Sequence, residues 1–118
     1  MSDAVSLGAP DTPGEPELLE VGDVVLNRAA FRVTVAGRSL ALARQEFRLL
    51  ELLMSNADRV LTSSAILDAV WGPTFTGDPG TLAVHMLRLR NKLEREPGGL
   101  QHLRTVRGVG YIFDTDPV

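Results

Sequence analysis

The chain has no cysteine, which removes any disulfide framework, and its two histidines, His85 and His102, are too few for the common zinc patterns. His102 has no metal-ligating company in the sequence, so no metal site is expected. No apolar run approaches the ~18 residues needed to span a bilayer, and the first residues lack the basic and apolar regions of a secretory signal. A cytoplasmic protein with no membrane contact is expected. Catalytic patterns are missing as well: Ser63 and Ser64 have no His and Asp partners at motif spacing, and the carboxylates are dispersed. Gly108-Val109-Gly110 opens like a nucleotide-binding fingerprint but has neither the third glycine nor the following helix. No enzyme and no cofactor is expected.

A chain of 118 residues, 44% hydrophobic and 23% charged, corresponds to about one globular domain. Its formal net charge of −3 argues against a polyanionic partner until the distribution is considered. Asp3, Asp11, Glu15, Glu17, Glu20 and Asp23 are acidic in a stretch, 1–27, with no basic residue. Over 79–113 the balance reverses, with Arg88, Arg90, Lys92, Arg95, Arg104 and Arg107 against Glu94 and Glu96. Attraction to a phosphate backbone depends on the field at the contact surface, so this asymmetry keeps a nucleic-acid role open.

Residues 1–16 are rich in Pro and Gly and acidic, a composition that cannot bury enough apolar surface to order itself, and read as a flexible linker or leader before a domain over 17–118. Such a leader is expected to join the domain to a preceding segment. From 18 to 42, Val24, Leu26, Phe31, Val33, Val35, Leu40 and Leu42 recur at β spacing, with turn positions at Asn27-Arg28 and Ala36-Gly37; a meander of three or four strands is predicted. The period then becomes helical. Phe47, Leu50, Leu53 and Met54 form a stripe over 45–56; Thr62 caps a second helix carrying Ile66, Leu67, Val70 and Trp71, which Gly72-Pro73 stops. Asp78 as cap and Pro79 at the first helical position start a third helix, running to about 95. Two short strands around Arg107-Gly108 close the domain at 103–113. Three helices followed by a hairpin is the order of a winged helix.

In the third helix Leu82, Met86, Leu89 and Leu93 fall in one narrow stripe, as packing on a core requires. A neighbouring face carries Thr81, Val84, His85, Arg88, Lys92 and Arg95. Such a mixture suits a major groove: Arg pairs bidentately with guanine, Val or Thr touches a thymine methyl, and Lys neutralises phosphate. A plain solvated face has the same charge spacing, and the hairpin shifts the balance. Arg107 puts a cation at a tight turn within reach of a minor groove or phosphate, and the adjoining glycines admit close backbone approach.

With these residues in place the sequence resembles the OmpR/PhoB-type effector domains of bacterial two-component response regulators, over 18–114. The matching pieces are Glu46-Phe47 with Leu49-Leu50, Arg59-Val60-Leu61-Thr62, Val70-Trp71-Gly72, Val84-His85 with Leu89-Arg90 and Leu93, and the run from Arg104 through Gly110 to Tyr111. The resemblance implies an α+β winged helix-turn-helix fold: an N-terminal antiparallel sheet of four strands, a three-helix core and a C-terminal β-hairpin wing. It further implies sequence-specific binding of double-stranded DNA in transcriptional regulation, the third helix in the major groove and the wing at the minor groove. On that match Thr81, Val84, Arg88 and Arg90 are groove residues, His85 and Trp71 contact phosphate, and Thr105, Arg107 and Tyr111 act from the wing. The loop over 72–77 corresponds to one that meets RNA polymerase in some members. Tandem half-sites, self-association on DNA, a receiver domain and a sensor kinase are also implied.

Gly80, Ala83, Leu87 and Ser63 depart from this pattern, standing where Arg, an acidic residue, Arg and a basic residue are common. Each lost phosphate contact lowers the salt slope by roughly 0.9, so weak binding by a single domain is expected. Ala43 replaces the usual Thr cap of the first helix, at a local cost of about 1 kcal/mol. The competing reading is a winged helix that binds a protein through Val84, Leu87 and the Phe75 loop.

Overall fold

A computed structural model describes residues 17–72, 79–95 and 102–115. Four short strands, β1 (Leu18–Val21), β2 (Val24–Asn27), β3 (Arg32–Val35) and β4 (Arg38–Leu40), form an antiparallel meander in chain order. Leu26 pairs with Val33 and Val33 with Leu40, while Val24 pairs with Val35, so the apolar alternation falls on one face. Val24, Leu26, Val33 and Val35 are essentially inaccessible to water. The two-residue turn between β3 and β4 has positive φ at Ala36 (51°) and Gly37 (83°), as a tight hairpin with the twist of its strands requires. All four strands of the expected range are present.

The first helix, α1 (Arg44–Ser55), packs against β1 and both other helices and reaches the C-terminal sheet. Phe47, Leu49, Leu50, Leu53 and Met54 are its buried apolar residues, a stripe one residue wider than the sequence period suggested. Ala43 offers no side-chain acceptor to the first turn, but Glu46 accepts the Ala43 amide hydrogen bond at 2.9 Å and so supplies one half of a capping box. Arg28 Nε meets Glu51 at 2.6 Å and ties the end of β2 to this helix.

Thr62 accepts from the amide of Ala65 at 3.1 Å and caps α2 (Ser63–Trp71), as expected; the helix ends at Gly72, whose φ of 101° is open to glycine. α3 (Pro79–Arg95) begins at the anticipated proline. The expected cap Asp78, Pro73, the Phe75 loop and the linker over 1–16 lie outside the described residues. Leu82, Met86, Leu89 and Leu93 are at most 2% exposed, so the narrow stripe is core. Truncating one of them to Ala would cost about 2–5 kcal/mol.

The C-terminal hairpin, β6 (Leu103–Val106) and β7 (Gly110–Phe113), turns at Gly108, φ 78°. It is part of a three-stranded sheet. A further strand, β5 (Leu61–Thr62), between α1 and α2, pairs with β7 in the order β5-β7-β6. Two residues are too few to display a period, so the sequence pattern contained no sign of it.

Gly110 explains the pairing. A Cβ there would lie 1.8 Å from the Leu61 carbonyl oxygen, so β5 approaches β7 closely only because that position has no side chain. The close approach expected at these glycines is thus made by the protein's own backbone at Gly110, while Gly108 serves the turn. The Asp58 carboxylate receives the Thr115 amide and hydroxyl at 2.8 and 2.6 Å and fastens the residues just after β7 beside the sheet.

Candidate nucleic-acid interface

The side of α3 opposite the core stripe is open. Ala83, Val84, Leu87, Arg88 and Asn91 are exposed there, and Arg88 and Asn91 make no hydrogen bond or ion pair among the described residues. Val84 is 46% and Leu87 53% exposed, which is unusual for large apolar side chains in the middle of a helix whose other face is fully packed. Asn91 escaped the reading of the sequence. Counting about 100° per residue from Val84 brings it back to the same line, and that arithmetic was the available signal.

Thr81, His85 and Trp71 come together on one flank of this strip. The rings of Trp71 and His85 meet edge to face at 5.2 Å, joining the end of α2 to α3. His85 Nδ1 lies 2.8 Å from the Thr81 carbonyl oxygen. A carbonyl only accepts, so Nδ1 carries the proton, and Nε2 becomes a donor toward phosphate only in the imidazolium form.

On the other flank Arg90 donates to Thr105 Oγ1 at 2.6 Å, connecting α3 to the hairpin. Two residues expected to meet DNA separately are thus each other's partner. Arg90 Nε is buried without a partner among the described residues. Lys92, expected at phosphate, instead places its ammonium 2.7 Å from Glu46, whose side chain is only 4% exposed. Burial pushes the Glu46 carboxyl up; the hydrogen bonds from Lys92 and the Ala43 amide, with the charges of Lys92 and His85, outweigh it and hold the group below its ordinary range.

In the hairpin Thr105 pairs with Tyr111 across the sheet, and Arg107 is exposed in the turn. Arg104 is engaged by Asp114 at 2.9 Å, and that hydrogen bond, reinforced by the opposite charge, raises its affinity for the proton. Between the start of α2 and the hairpin runs a shallow groove of about 400 Å³ in which hydroxyls of Thr62, Ser63, Ser64, Thr105 and Tyr111 gather. Ser63 and Ser64, which the sequence offers as unsupported nucleophiles and, at Ser63, as a replacement for a basic residue, belong to a hydroxyl-lined surface. The only hint was their position just after a helix cap.

A helix with a basic, open face beside a three-stranded wing is the geometry of a DNA-reading domain. The family model described as "Transcriptional regulatory protein, C terminal" matches residues 37–113. The chain belongs to this family. Its DNA-binding effector domain is of the OmpR/PhoB type, a winged helix, found in response regulators of two-component systems.

This effector domain is similar to the sensory transduction protein RegX3 of Mycolicibacterium smegmatis, 45% identical over 104 residues that make up 88% of this chain and 46% of that protein. Among solved structures, the Klebsiella pneumoniae RstA DNA-binding domain in complex with RstA box superposes with a TM-score of 0.74 at 27% identity, covering 86% of this chain and all of that one. The DNA-binding domain of CpxR from E. coli gives 0.73 at 31% identity, covering 85% and 97%. The effector domain spans about half the length of the curated relatives it matches. Among the described residues no helix is long and apolar enough to cross a membrane, and no cluster of His, Cys, Asp or Glu could hold a metal ion.

Proposed function

We propose that this effector domain reads duplex DNA with the outward strip of α3 in the major groove and the hairpin turn at the adjoining minor groove. The observation carrying this reading is the division of α3 into a fully packed face and an open one on which Arg88 is exposed and has no partner among the described residues. Thr81, Val84 and Arg88 face base edges; Trp71 and His85 approach phosphate from one flank and Arg107 from the wing. Arg90, Thr105 and Tyr111 hold the wing at its angle to the helix. Lys92 serves the fold through Glu46. The domain covers 17–118, with 1–16 as a linker to a receiver domain controlled by a sensor kinase, in the cytoplasm; the protein has no catalytic role. The segment 72–77 is the expected meeting point with RNA polymerase.

Val84 and Leu87 support a second reading, in which the same open strip docks a protein. A titration across salt concentrations separates the two, since phosphate contacts weaken steeply with salt and apolar contacts do not. Arg88→Ala is expected to weaken specific DNA binding by about 1–3 kcal/mol, with an unchanged melting temperature. An unaltered affinity for a specific duplex would overturn the DNA reading.

A further inference from the structure

The open strip of α3 has a composition that selects among base pairs. At about 100° per residue, Val84 and Asn91 lie within roughly 20° of each other, with Leu87 to one side and Arg88 to the other. From Val84 to Asn91 the helix advances about 10 Å, the rise of about three base pairs. Gly80 and Ala83, also exposed, present almost no side chain ahead of this strip, so the helix can come close enough for the short Val84 to reach a base edge.

We propose that this strip reads an A·T-rich half-site by its thymine methyl groups, Val84 and Leu87 covering the methyls, Arg88 taking one guanine and Asn91 one adenine. The inference rests on the DNA-reading role proposed above.

The choice of base follows from what each side chain can satisfy. An isopropyl or isobutyl group over a G·C pair would strip water from the O6 and N7 acceptors and the N4 donor and offer nothing in return. Over a thymine the same groups meet a methyl. Arg88 is the cation left for a guanine fork on this stretch, because Arg90 is committed to Thr105 and Lys92 to Glu46. Asn91, an amide with no partner among the described residues, matches the N6 and N7 pair of adenine.

The test is selection of binding sequences by the whole chain from a random 30-base-pair duplex library at low salt, then replacement of each selected thymine by deoxyuridine. The expected motif has one G·C pair within a run of A·T pairs, and deoxyuridine at two positions lowers affinity about fourfold each, the value of one buried methyl. Leu87→Ala and Val84→Ala, both surface changes, should each abolish the deoxyuridine effect at one of the two positions. A G·C-rich motif, no response to deoxyuridine, or a response that survives both substitutions would overturn the inference while leaving DNA binding in place. Failure to enrich any sequence would overturn both.

Discussion

Arg90 on α3 and Thr105 on β6 share a hydrogen bond of 2.6 Å, so the orientation of the wing is set from within the reading helix. Thr105→Val removes the acceptor and leaves a guanidinium whose Nε is already buried with no partner among the described residues. The expected cost is about 1 kcal/mol, or roughly 4–8 °C in Tm, together with weaker DNA binding. Because no cation is lost, the dependence of affinity on salt should keep its slope, and Thr105→Ser should restore both quantities. A loss of affinity with an unaltered Tm would show that Thr105 acts at the phosphates instead.

Glu46 and Lys92 make acid a selective stress on this domain. Since the Glu46 carboxyl sits below its ordinary range in the folded chain, it contributes stability above its ordinary unfolded value, and that contribution is lost as the pH falls through the lowered folded value. Thermal melts from pH 7 to pH 3 should show a decline that is shallower in Glu46→Gln. Lys92→Met leaves a buried carboxylate with the Ala43 amide and the nearby His85 but without its ion partner; about 2 kcal/mol and roughly 10 °C of Tm should be lost, with the salt slope of DNA binding unchanged.

The wing depends on an absent side chain. Gly110→Ala drives a methyl into the Leu61 carbonyl, so β5 must separate from β7. Destabilisation of about 3 kcal/mol is expected. The adjoining Gly108→Ala meets open space and incurs only the strain of its positive φ, about 1 kcal/mol. Paired chemical denaturation of the two variants checks the order; equal losses would show that β5 is not fastened through Gly110.

Assembly on DNA is open to a geometric test. A strip that reads about three base pairs cannot supply the specificity a genome demands, so two copies on tandem half-sites, head to tail, are expected. Half-sites about 10 to 10.5 base pairs apart put both α3 helices on one side of the duplex. Lengthening the spacer by half a turn should then reduce affinity far more than one base change. Indifference to spacing in a titration series would identify a monomeric reader.

The parts of this fold with a sustained period were legible from the start. The Leu82–Met86–Leu89–Leu93 stripe repeats over three turns, Thr62 and Pro79 mark helix starts by their own chemistry, and Val24, Leu26, Val33 and Val35 alternate cleanly. Local stereochemistry and one buried face suffice for such elements. Asn91 was overlooked because a neutral amide has no charge to draw notice, although its helical phase was available.

Which basic side chains are free could not be read along the chain. Sequence placed Arg88, Arg90 and Lys92 on one helix as candidates for DNA contact, Arg88 foremost, and determined that the helix has one apolar and one polar side. Tertiary structure alone set Glu46, 46 positions away, against Lys92, and Thr105, 15 positions away, against Arg90, leaving Arg88 open. The physical reason is that helical phase is a local property, fixed within a few residues. The electrostatic commitment of a long side chain depends on whichever carboxylate or hydroxyl the packing of distant elements brings within about 3 Å.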